Sequence, residues 1–179
     1  MAALPIALLP LVLAATTAPA PIVVRAQFEA PTDPARQQAV SYVPELVPIG
    51  TTARVRVVEA PSGTHVSLRI SGLLPDRDYG AHVHTSPCGA DPADAGPHYQ
   101  HVPDPVQPST DPAYANSANE VWLDFTTNHH GHGQVDTHVH WTPREGEARS
   151  IVLHDHHTSL TPGEAGTAGD RLACVNVPF

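Results

Sequence analysis

His82-Val-His84 sets two imidazoles two residues apart. On a strand, residues i and i+2 share a face, so both rings can reach one ion. His98 follows in Gly96-Pro-His-Tyr99, and His154 ends the run Ser150-Ile-Val-Leu-His154. Four neutral imidazole nitrogens suit Cu2+, which favours nitrogen in a tetragonal array and heads the affinity order; zinc would bind such a set as well. The chain holds 13 His in 179 residues. Imidazoles clustered in an acidic chain point to metal before other chemistry. Thr137-His-Val-His-Trp141 repeats the His-x-His spacing, and His129, His130 and His132 crowd a Gly-flanked turn. The plain reading of these is a solvated His-rich hairpin; the sharper one is a patch that captures copper or zinc. His156 and His157 read as solvated loop residues.

The elements that must carry these side chains are strands. Pro (20) and Gly (12) are abundant, which disfavours a helical bundle and favours short strands joined by structured loops. Thr64–Ser71 alternates, with Val66, Leu68 and Ile70 on one face and His65, Ser67 and Arg69 on the other. That is the period of a half-buried antiparallel strand. Arg54–Glu59, Tyr79–His84, Glu120–Thr126, Gln134–Trp141, Arg149–His154 and Arg171–Val177 also read as strands. Residues 86–118 show no periodicity, and a loop of that length in a compact domain is usually functional. The fold class is all-β: a sandwich or barrel of about eight antiparallel strands with long functional loops.

Residues 2–15 form an apolar run followed by small residues, as in a secretory signal, although no basic residue precedes Arg25. Residues 1–26 are therefore read as a signal peptide or N-terminal anchor, with cleavage after Ala18 or Ala26. Residues 27–50 are read as a linker and lead-in, and 51–179 as the β-domain. The expected location is secreted, periplasmic or associated with the cell envelope, with no membrane contact beyond the leader. Cys88 and Cys174 are the two cysteines, and neither sits in a Cys-x-x-Cys pair. In an exported chain one disulfide is the simplest reading, two buried thiols the other. The net charge is −9, all nine basic residues are Arg, and none cluster along the sequence. Nucleic acid is accordingly not expected as a partner.

The segments Gly80-Ala-His-Val-His84, Cys88-Gly89, Gly96-Pro-His-Tyr99, Ser150-Ile-Val-Leu-His154 and Gly166-Thr-Ala-Gly-Asp-Arg-Leu-Ala-Cys174 occur in an order that resembles the copper/zinc superoxide dismutase family. The match spans roughly residues 50–177. The resemblance implies an eight-stranded Greek-key β-barrel and a copper ion held by His82, His84, His98 and His154. It further implies a Cys88–Cys174 disulfide, and Arg171 as the group that holds the superoxide anion. His98 would be the ligand that leaves copper and carries a proton. The family's zinc site lacks its partners: no histidine lies between His101 and His129, and the loop between His154 and Arg171 is short. The chain thus looks like the copper-only branch, where a glutamate orients the bridging histidine. Glu120 is the candidate for that role and Asp124 the reserve.

The expected activity is copper-dependent dismutation of superoxide to oxygen and hydrogen peroxide. With so acidic a chain, steering of superoxide must be local, from Arg171, the copper and Arg144 or Arg149. A reading of a different class is a catalytically weak copper-binding or copper-buffering protein that keeps the domain and its ligands. A third is a two-metal enzyme whose zinc site uses His98, His101 and Asp104 or Asp111. The sequence leaves the oligomeric state open, with a monomer as the expectation.

Overall fold

The alternation over Thr64–Ser71 becomes a strand with one face in the core in the computed structural model, which describes residues 19–33 and 36–179. The apolar stretch 2–15 lies outside the described residues. The strands are β1 (Ile22–Gln27), β2 (Ala39–Ser41), β3 (Thr52–Ala60), β4 (Gly63–Ser71), β5 (Asp78–His84), β6 (Phe125–Thr126), β7 (His132–Val139), β8 (Ser150–His154) and β9 (Arg171–Asn176). Among the described residues the one helix is a 3-10 turn, Pro92–Ala95. None is long and apolar enough to cross a membrane.

The strands form two antiparallel sheets, ordered β1-β3-β4-β7 and β2-β9-β8-β5-β6. β3 and β4 make a hairpin closed by Pro61-Ser62, with Ala60 opposite Gly63. Gly63 has φ +125°, and a Cβ there would strike the Val139 carbonyl and meet Cα of His140 at 2.8 Å, so only glycine fits. Val55, Val57, Val66, Leu68 and Ile70 from the first sheet meet Ala81, Val83, Ile151, Leu153 and Val175 from the second in one core.

The expected barrel does not close; the architecture is a sandwich. At the β6/β7 seam no ladder forms. The Phe125 ring instead lies over Gly133, close enough that a Cβ on Gly133 would collide with it. The two strands thus meet through a side chain and not through a backbone ladder. Glu120–Thr126 is also less regular than its alternation suggests, since only Phe125–Thr126 runs as strand. Residues 120 and 122 pair through isolated bridges to Gln100 and His82. Asp124 Oδ1 accepts the Ala81 N–H at 3.2 Å, a donor that a regular ladder would give to a main-chain carbonyl.

The N-terminal segments also depart from the sequence reading. β1 pairs along β3 from Ile22↔Val57 to Gln27↔Thr52. A cut after Ala18 leaves β1 whole, and a cut after Ala26 removes all of it but Gln27. Within 27–50, β2 pairs with β9, and Phe28, Val40 and Val47 are fully buried. The apolar composition of β1 merges with that of the leader, which hides the strand in the sequence.

The second sheet is covered on both faces. Every residue of β8 is buried. On the side away from the main core, Val40, Val152, Cys174, Cys88 and Ala95 make a smaller cluster beneath the loop that follows β5. Cys88 and Cys174 are joined there in a disulfide, Cα–Cα 5.7 Å. The first sheet keeps its outer face in solvent. That face gathers cations that are scattered in sequence: Arg25 stands opposite Arg54, and Arg54 opposite Arg69, with Arg56 one row along. All four are exposed, and no carboxylate pairs with them among the described residues.

Candidate metal centre

His82 and His84 alternate with Ala81 and Val83 along β5. The two small apolar side chains enter the core, and the imidazoles take the opposite face, fully buried beneath the loops. His154, at the end of β8, pairs with Gly80, and the β8/β9 register shifts between Leu153 and His154. Gly80 is required by this approach. A Cβ there would meet the His156 carbonyl, Ala168 Cβ at 2.8 Å and His154 Cβ at 3.3 Å. His98 arrives from the long loop, fixed by a bridge to His84 and by Tyr99 N–H donating to the Val83 carbonyl at 2.8 Å.

The four predicted imidazoles converge: one nitrogen from each of His82, His84, His98 and His154 lies within 4.8 Å of the others. The hydrogen bonds behind the rings settle which nitrogen is bare. His84 Nδ1 donates to the Gly96 carbonyl at 2.9 Å, and His154 Nδ1 to the Gly169 carbonyl at 3.4 Å. Their Nε2 atoms are therefore lone pairs, and they face each other at 3.4 Å. His98 Nδ1 donates to Glu120 Oε2 at 2.9 Å, leaving its Nε2 bare. His82 is held the other way round. Its Nε2 donates to Thr158 Oγ1 at 2.7 Å, and Thr158 Oγ1 donates on to Asp124 Oδ1 at 2.8 Å. Its Nδ1 is buried without a partner. Lone pairs that face one another, one of them orphaned in the interior, fit a cation.

Burial, reinforced by the neighbouring imidazoles, holds the pKa of His82 and His84 well below the ordinary imidazole value. For His154, burial and then His98 lower it to about 3. These rings are neutral at ordinary pH, the state in which imidazole ligates.

Glu120 is 2% exposed. Besides His98, its carboxylate accepts Trp122 Nε1 at 2.7 Å and Gln100 Nε2 at 2.8 Å. Asp124, the reserve candidate for orienting His98, stands behind His82 instead, through Thr158. Arg171 opens β9 opposite His154 and donates from Nη1 to the Pro92 carbonyl at 2.9 Å. It shares the wall of a cavity of about 310 Å3 with His98, His154, Glu120 and Pro108.

Other predicted residues lie elsewhere. His101 stacks on Trp141. Asp104 accepts Val106 N–H and Ser109 Oγ, and Asp111 accepts Ala113 N–H, so neither carboxylate joins His98. Arg144 is tied to the carbonyls of Gln100 and His101 and to Glu147, and Arg149 is exposed at a different cavity. His129, His130 and His132 are exposed. Trp122 and Gln100 were legible in principle, each being two residues from a site residue on an extended stretch. Thr158 sits in an aperiodic loop that carries no such signal.

The family model for copper/zinc superoxide dismutase matches residues 51–177. No curated protein matches the chain by sequence. Among solved structures, the Cu/Zn superoxide dismutase from Brucella abortus is similar at 20% identity, covering 88% of this chain and 99% of its own, with a TM-score of 0.57. A double mutant of a SOD-like protein from Bacillus subtilis is similar at 16% identity, covering 71% and 88%, with a TM-score of 0.55. The clock protein EA4 is similar at 19% identity, covering 93% and 99%, with a TM-score of 0.56.

Proposed function

Because the chain belongs to the copper/zinc superoxide dismutase family, we propose that it is an exported copper-dependent superoxide dismutase that works without zinc. The observation that carries this reading is the set of four imidazoles with bare nitrogens turned on one another beside a guanidinium. His82 through Nδ1, and His84, His98 and His154 through Nε2, would hold the copper. When bound, copper would supply the one-electron couple that lets one superoxide be oxidised to oxygen and a second be reduced to hydrogen peroxide.

The chain's own groups bind the anion, fix the rings and manage protons. Arg171 is a permanent cation in the cavity wall, suited to lodging a small anion against His98 and His154. His98 can carry a proton at Nε2. With Nδ1 donating to Glu120, the ring keeps its orientation whether Nε2 is bare or protonated, and the proton can pass to an anion leaving Arg171. The same hydrogen bond occupies the nitrogen that a second ion would need, which supports a zinc-less centre. The Cys88–Cys174 disulfide supports export to an oxidising compartment.

The test is superoxide consumption by copper-loaded, zinc-free protein, with metal analysis of the same sample. Turnover in a sample holding copper and no zinc is the expected result. Copper bound without turnover would make the chain a copper-binding protein instead. Arg171→Gln should lower kcat/KM at low salt by at least about tenfold while copper stays bound. An unchanged kcat/KM removes the anchoring role.

A further inference from the structure

Two buried side-chain nitrogens lack a hydrogen-bond partner among the described residues: His82 Nδ1 and His138 Nε2. The first faces the four-histidine centre. The second lies on the other sheet, on β7, and that centre does not use it. His138 stands directly opposite His65 of β4, with the two rings stacked at 4.0 Å between centroids. His140 follows two residues on, its ring 4.6 Å from that of His138. We propose that His65, His138 and His140 form a second metal site for a late first-row divalent ion, Cu2+ more tightly than Zn2+, on the outer face of the four-stranded sheet.

The placement follows from strand geometry. A His-x-His pair puts two imidazoles on one face, and a directly opposed residue on the next strand brings a third Cβ to about 5 Å. Three rings at the corners of such a triangle can bind one side of an ion and leave its solvent side to water, as three-histidine zinc sites do. His65 and His140 are exposed, while His138 is half-buried and anchors the set. The site requires the exposed His65 ring to leave its stack on His138, so that a His65 nitrogen and the unpartnered His138 Nε2 can reach one ion. An all-imidazole set selects Cu2+ and Zn2+ over Mg2+ and Ca2+, which take oxygen ligands. Asp136 lies two residues before His138 on the same face, where it accepts from Ser67, and offsets part of the ion's charge. The other histidine groups lack the enclosed nitrogen. His101 lies on Trp141, His156 bonds the next residue's carbonyl, and His129, His130 and His132 are all exposed.

Titrating the full chain separately with Cu2+ and Zn2+ under competition from a chelator of known affinity tests this. The parent protein should bind an ion beyond the four-histidine centre, and His82→Ala should keep it. His65→Ala and His140→Ala change exposed side chains and leave the fold intact; each should weaken this extra ion by at least about tenfold, and their combination should abolish it. A His129→Ala, His130→Ala, His132→Ala variant should retain it. The proposal is overturned if the His65/His140 double variant binds the same number of ions with the same affinity, or if the extra ion is lost with the turn histidines instead.

Discussion

Glu120→Gln keeps the size of the side chain and removes its charge and one acceptor. In the native arrangement Oε2 accepts from His98 Nδ1 at 2.9 Å and Trp122 Nε1 at 2.7 Å, and Oε1 from Gln100 Nε2 at 2.8 Å. A Gln amide with its oxygen in the Oε2 place keeps the first two bonds and points its NH2 at the Gln100 NH2. Flipping Gln100 relieves that clash but withdraws the oxygen that accepts Asp104 N–H at 2.8 Å. The opposite orientation of the new amide sets NH2 against both His98 and Trp122. At least one buried donor is left unpaired, at a cost of about 1–3 kcal/mol, and the bond to His98 loses its charge assistance. Groups that support a ligand in this way change metal affinity by about 10–100-fold, which is about 1.4–2.8 kcal/mol. Glu120→Gln is therefore expected to unfold at lower urea, to bind Cu2+ about 10–100-fold more weakly in competition titrations, and to consume superoxide more slowly. A variant that matches the parent in Cu2+ affinity and in the pH profile of turnover would show that Glu120 does not govern His98.

Gly80→Ala should destabilise the protein by about 1–3 kcal/mol through overpacking, because the new methyl meets Ala168 Cβ at 2.8 Å and the carbonyl of His156; an unchanged Tm refutes it. The metal-free protein should lose stability as the pH falls. His154 titrates at about 3 in the fold against about 6.5 for a free imidazole, so the unfolded chain takes its proton first. Stability is whole above about 6.5 and declines from there toward about 3, by about 1.4 kcal/mol per pH unit for this ring; His82 and His84 add to the same slope. Urea midpoints that stay flat across that window would show that the rings are not buried neutral. Cys88→Ser with Cys174→Ser opens a link across 86 positions and should cost about 4–5 kcal/mol by loop-closure entropy, read from chemical denaturation; a midpoint equal to the parent's contradicts it.

The four imidazoles were legible because two of them lie on one strand at the spacing that guarantees a shared face, and the other two sit in segments whose order was diagnostic. The ranking of Glu120 ahead of Asp124 for orienting His98 came from the family resemblance, while the role of Asp124 behind His82 carried no signal in the sequence. Both fall on one face of an alternating run, and only the break in that strand sends one carboxylate to His98 and the other, through Thr158, to His82. β1 and β2 were hidden for opposite reasons. β1 shares the apolar composition of the leader, and β2 is three residues long within a polar segment. At the open seam Phe125 lies over Gly133, a contact between segments that composition does not link.

The arginine row on the first sheet has a consequence for assembly. A two-fold dimer closed through that face would lay Arg25, Arg54, Arg56 and Arg69 against their own copies. Like charges that already oppose one another across neighbouring strands would then do so across an interface as well. The face thus repels its own image, and any symmetric pairing of two chains must be sought on another surface or be bridged by an anion caught between them.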